Sequence, residues 1–164
     1  MAPGGLTICE IDPRVLDNLK VELLDTKPVV IEPSTITKLS CEGAAKYSFA
    51  KNGDKWELAG EPSFRTDAAA IMTVLNAIRD LRVRQYARYS EAKPADYGLD
   101  KPAAVLSLEP DTGDAVNLAI SAVGPKGSAD RYASLRSNPG RVFVIKAEDA
   151  VKLIKTVPDF QSKT

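Results

Sequence analysis

The segment from Thr66 to Pro102, TDAAAIMTVLNAIRDLRVRQYARYSEAKPADYGLDKP, limits the fold more than any other part of the sequence. Thr66 or Asp67 is placed to cap a helix. Ile71, Val74, Leu75, Ile78 and Leu81 then recur at three- and four-residue spacing, which lays one apolar stripe along it. Burying such a stripe stabilises a fold by several kcal/mol, at roughly 25 cal/mol per Å² of apolar surface. The segments around the helix are mostly strand-like, so the stripe has to close on strands. The expected fold class is α+β, with antiparallel strand meanders and helices on one side, in two similar strand-strand-strand-helix halves.

Upstream, Leu6–Ile11 reads as a short strand, and Asp12-Pro13 as an N-cap with the first helical residue. Val15, Leu16, Leu19 and Leu23 give that helix its stripe. Val29–Ile31 and Thr35–Cys41 read as strands broken by Pro33. Tyr47 and Phe49 share one face of a strand that leads through Asn52-Gly53, a strong hairpin signal, to Trp56 and Leu58. Trp56 and the helical stripe are expected in one core. Beyond the helix, Val83–Tyr89 reads as extended. Ala104–Leu108 and Val116–Ile120 read as strands around a turn at Asp111–Asp114. Arg131–Leu135 and Val142–Ile145 are expected to pair across Asn138-Pro139-Gly140, and a helix is expected from about Ala147 to Lys155.

Composition narrows the chemistry. Lysines and arginines number 22 and acids 22, so the formal charge is zero, against the basic excess of a nucleic-acid binder. Histidine is absent, which removes the commonest general base and metal ligand and excludes serine–histidine and cysteine–histidine catalysis within this chain. Cys9 and Cys41 lie outside any C-x-x-C spacing, so no zinc site is expected, and their oxidation state stays open. No apolar run approaches the roughly 20 residues of a membrane span. No leader and no membrane insertion are expected within this stretch, and neither metal nor cofactor is expected.

One self-similarity organises the rest. Ile11-Asp12-Pro13, Leu16, Leu19, Leu23 and Asp25 line up with Ile145-Lys146-Ala147, Ala150, Leu153, Val157 and Asp159. On that alignment 6–26 is the strand–helix tail of a preceding repeat unit, and 27–160 is one complete unit with halves at about 29–90 and 97–160. Trp56 after Asn52-Gly53, the helix opening Thr66-Asp67-Ala68, and Tyr97-Gly98-Leu99-Asp100-Lys101-Pro102 before a strand resemble the domain of unknown function 4340 family. Arg131-Tyr132-Ala133 and the closing Asp159-Phe160 fit the same pattern. The resemblance covers roughly 29–160. It implies a bacterial cell-envelope protein, held by a membrane anchor outside this chain, and brings no catalytic residues with it.

Two constellations are candidate binding elements. In the Tyr97–Pro102 turn, Gly98 supplies a positive φ and Asp100 bonds back to the backbone. The turn is either a ligand-contacting loop with Tyr97 exposed or a joint with Tyr97 and Leu99 packed inward. Arg82, Arg84 and Arg88, interleaved with Tyr86 and Tyr89, could bind an anion or cover apolar surface as a solvated, ion-paired face. Gly124–Ser128 lacks the spacing of a phosphate loop and reads as a hairpin loop. Glu109, Asp111 and Asp114 read as a solvated turn. The expected function is a non-catalytic cell-envelope module making protein–protein or repeat–repeat contacts. The alternative is a small-ligand or glycan-binding domain, with Tyr97, Asp100, Arg82, Arg84 and Arg88 as its candidate residues.

Overall fold

The computed structural model describes residues 26–163. The strand expected at 6–11, the helix after Asp12 and Cys9 lie outside the described residues. The strand–helix tail at 6–26 therefore does too, apart from Thr26.

A 3-10 turn at Pro33–Thr35 leads into β1 (Ile36–Gly43), followed by β2 (Tyr47–Asn52), β3 (Lys55–Leu58) and α1 (Ala68–Arg79). Next come β4 (Gln85–Arg88), a 3-10 turn at Pro94–Tyr97, β5 (Ala104–Pro110), β6 (Val116–Ile120), β7 (Arg131–Leu135) and β8 (Asn138–Ile145). The chain closes with α2 (Ala147–Leu153) and a 3-10 turn at Val157–Phe160. The eight strands of the described residues form one antiparallel sheet in the order β3-β2-β1-β5-β6-β7-β8-β4. The expected α+β class is the observed one, with a fourth strand in the second meander.

The helix α1 has a topological task that its periodicity does not show. It leaves β3 at one edge of the sheet and feeds β4 at the opposite edge. Asp67 starts it, its Oδ1 accepting from Ala69 N at 2.9 Å and Ala70 N at 3.4 Å. Ile71, Val74, Leu75, Ile78 and the following Leu81 are all buried. They share a single cluster with Leu39, Phe49 and Trp56 of the first meander and Leu106, Leu118, Phe143 and Ile145 of the second. Trp56, 7% exposed, is in that core as expected. Leu153 of α2 joins the cluster and the two helices pack together, so both lie on this face.

The other face of the second meander carries a smaller cluster of Leu99, Val105, Ala119 and Val142, against which Tyr97 and Tyr132 pack. The Tyr97–Pro102 turn is thus the cover of that face. Gly98 has φ 64, and a Cβ there would lie 2.8 Å from Ser121 Oγ and 3.0 Å from Val123 Cγ2. Both the dihedral and the space demand glycine.

Two local expectations fail. Val29–Ile31 is no strand: Val29 is buried while Val30 is 81% exposed, and β1 begins only at Ile36. Pro28 and Pro33 bracket the segment, and neither position can donate to a ladder, so a strand cannot extend through either end of it. The β7–β8 turn is at Arg136-Ser137, since Leu135 pairs with Asn138, and Pro139 and Gly140 belong to β8. The ladder is irregular between Ala133 and Leu135, where a strand tolerates a proline without an N–H.

Candidate functional site

The arginine segment becomes the edge of the sheet. β4 pairs with β8 through Gln85↔Val144, Tyr86↔Phe143 and Arg88↔Val142, with an irregularity between Tyr86 and Arg88. Tyr86 packs on the main core, whereas Ala87 packs on the smaller cluster of the opposite face. Val83 N donates to Thr26 O at 2.7 Å, which lays the start of the described chain beside this edge.

The five candidate residues do not converge. Arg84 is committed to Asp130 through an ion pair. Asp130 is 7% exposed, and its other oxygen accepts from Ala147 N at 3.1 Å, tying the start of β4 to the start of α2. Desolvation works upward on the Asp130 carboxyl, but the Ala147 amide, the Ser128 hydroxyl and Arg84 outweigh it and hold it below the usual carboxylate range. Arg88 Nε donates to Tyr97 Oη at 3.2 Å, and the Tyr97 ring meets Tyr132 edge-on at 5.0 Å. Tyr97 is half-buried and Leu99 buried, as in the joint reading of the turn. Arg82 and Asp100 are exposed. The charge of Arg82, behind the stronger influence of Arg79, helps hold Asp80 low. Arg88 with Tyr97 is the one pair among the five that the structure brings together.

A cleft opens beside this edge, on the face that carries the main core. It measures about 340 Å³ and is lined by Lys27, Pro28, Tyr86, Leu135, Asn138, Arg141 and Phe143. Tyr86 is held by two ring contacts, Tyr89 at 5.4 Å and Phe143 at 6.2 Å with planes at 71°. Arg141 Nε donates to Tyr89 O at 3.4 Å. In the sequence Tyr86 sits among the arginines and Asn138 in a turn signal, and no local pattern marks Lys27 or Arg141, because residues more than a hundred positions apart meet here through the β4–β8 pairing.

A second cleft, of about 430 Å³, lies by the first meander and is lined by Cys41, Tyr47, Glu42, Lys46, Glu61 and Val157 among others. The Cys41 thiol is free and buried. Burial pushes its pKa up to about 11, so it is protonated at neutral pH, the opposite of what thiolate chemistry needs. Burial, with Cys41 beside it, also raises the Tyr47 phenol. Glu109 of the acidic turn is taken by Lys38 at 2.8 Å. Among the described residues no group of three or more cysteines and acids is placed to hold a metal ion. No described helix is long and apolar enough to cross a membrane.

With the geometry in view, the comparisons are clear on family and silent on activity. The model of the family described as Domain of unknown function (DUF4340) matches residues 7–102 and again 56–164. The chain belongs to that family. The overlapping matches are consistent with a repeated unit. No curated protein and no solved structure matches the chain.

Proposed function

We propose that this DUF4340 chain is a non-catalytic module of the bacterial cell envelope that makes protein–protein or repeat–repeat contacts within a larger assembly, held there by an anchor outside this segment. The observation that carries the reading is the double family match, 7–102 and 56–164, within one chain. Units that recur in tandem stabilise one another through their interfaces. The sheet gives such contacts a place, since β3 and β4 each pair on one side only among the described residues. A chain extended by a second copy of 27–160 tests this by calorimetry. One cooperative transition above that of the single unit is expected; two independent transitions would sink the repeat-contact reading. Fractionation of cells producing the parent protein tests the compartment, and recovery in the soluble cytoplasm would count against it.

A second reading, a small-ligand or glycan-binding domain, is favoured by the cleft at Tyr86, Asn138 and Arg141. It combines an aromatic floor with a few polar groups, the usual make-up of a ligand site. Titration of the chain with a panel of small sugars and organic acids, read by amide shifts at Asn138 and Arg141, tests it.

A further inference from the structure

We infer that the outer edge of β3 pairs with the β3 edge of a second copy of this chain, antiparallel and across a two-fold axis, so that two sheets join into one. This pairing rests on the protein–protein reading above and names the partner of one edge.

The topology leaves a place for a strand there. Counting outward from the central β1–β5 pair, one half of the unit supplies β1, β2 and β3, and the other supplies β5, β6 and β7. The outer side of β7 is taken by β8, whereas the outer side of β3 pairs with no strand among the described residues. The C-terminal turn covers the aromatic rings at this end, but its backbone is bonded to Arg65 and Asp67.

The hairpin fixes which groups face outward. β2 and β3 pair without a register shift from Asn52↔Lys55 to Phe49↔Leu58, and just beyond them Ala59 N donates to Ser48 O at 2.8 Å. Hydrogen-bonded positions alternate along an antiparallel pair, so Lys55, Glu57 and Ala59 turn their amides toward β2, and Trp56 and Leu58 turn theirs outward. Leu58 O already accepts from Glu61 N at 3.2 Å. Trp56 therefore offers both its N–H and its C=O. Its side chain is buried in the core, so this stretch of backbone is held in place before a partner arrives.

Charge selects the partner and the register. Lys55 and Glu57 are both exposed and lie on one face of the strand. Among the described residues Lys55 is in no ion pair. Glu57 Oε1 accepts from Asn52 Nδ2 at 3.4 Å, which leaves Oε2 for a second partner. An antiparallel pair centred on Trp56 exchanges two backbone hydrogen bonds between the tryptophans. It also sets each Lys55 directly opposite the second copy's Glu57, a favourable cross-strand pair made twice. A pair centred on Glu57 would instead oppose two carboxylates and call on Leu58 O again. The β4 edge lacks this self-complementarity, because its ladder is irregular between Tyr86 and Arg88 and Gln85–Arg88 carries a cation and no acid. A patch that complements itself across a two-fold closes as a dimer.

The test is sedimentation equilibrium of the full chain over a concentration series. The fluorescence of Trp56, the single tryptophan of the sequence, gives a local readout. A reversible dimer is expected, weakened by added salt. Lys55→Glu and Glu57→Lys should each weaken it by about tenfold or more, because either change turns two attractive cross-strand pairs into repulsive ones. Both positions are exposed, so the fold should survive. An equimolar mixture of the two variants should regain the dimer, since every charge then meets its opposite across the axis. A chain that stays monomeric, a dimer indifferent to both changes, or a mixture that regains nothing overturns the β3 pairing. The wider repeat-contact reading then stands or falls separately, on the calorimetry of the doubled unit.

Discussion

The two ends of the sheet are built from similar material and finished differently. At the β3–β2 end, Phe160 meets Tyr47 and Phe49, its ring centroid 5.0 Å from the first and 4.9 Å from the second, and Phe64 packs on Phe49 at 6.3 Å. The C-terminal 3-10 turn brings Phe160 there. Asp67 N donates to Phe160 O at 2.8 Å and Ser162 N to Arg65 O at 2.9 Å, so the tail is stitched to the start of α1. At the β8–β4 end, Tyr86, Tyr89 and Phe143 form a comparable aromatic group, but a cleft rimmed by Lys27 and Arg141 adjoins it. Aromatic side chains covered by the tail are structural. The same side chains left beside cations are a candidate site.

The comparison can be broken most sharply by truncating one ring at each end. Phe160→Ala should cost about 3–5 kcal/mol, since a fully buried ring leaves a cavity among other rings. Tyr86→Ala, half-buried, should cost roughly 1–3 kcal/mol and abolish binding at the cleft. Denaturant unfolding of both variants checks this. Equal losses would mean that the open end is as structural as the closed one.

A smaller effect is expected where the closed end is tied to the helix. Asp67→Ala removes the side-chain acceptor of the Ala69 and Ala70 amides, a change of about 1 kcal/mol. Thermal unfolding reads it, and ligand affinity at the distant cleft should not move. Coupled losses would show that α1 transmits strain between the ends.

The smallest expected effect is in acid, where one carboxylate guards each end. Thr156, through its amide and hydroxyl, holds the Asp159 carboxyl low, and Asp130 is also lowered. A folded pKa below the unfolded value gives stability that is fully present above the unfolded value, near 3.8. It is lost as pH falls through the folded one. Melting temperatures should therefore fall below about pH 4. Asp159→Asn and Asp130→Asn should each flatten that limb, and an unchanged limb in both would exclude these groups as its origin.

Much of the local structure was legible in the chain. The hairpin signalled at Asn52-Gly53 forms, with its loop one residue on at Gly53-Asp54 and Gly53 at φ 60, and the Ile71–Leu81 stripe is buried. The β-branched residues of Val29–Ile31 say strand, but the flanking prolines, 28 and 33, have no N–H to donate and leave too short a stretch between them to join the ladder. At the candidate site the sequence shows Tyr86 and a basic run, but not that Arg84 serves Asp130 and Arg88 serves Tyr97. Local pattern reports a side chain's type and face, and says nothing of which distant partner consumes its hydrogen-bonding groups.

The sequence by itself determined most of the elements, the family and the turn at Gly98, because periodicity, caps and turn dihedrals act over a few residues. Only the tertiary structure decided that α1 carries the chain from one edge of the sheet to the other and sets β4 against β8. That pairing unites Lys27, Tyr86, Asn138 and Arg141 around one cleft. Strand order is fixed by how the whole apolar surface closes, a global condition that no short segment encodes.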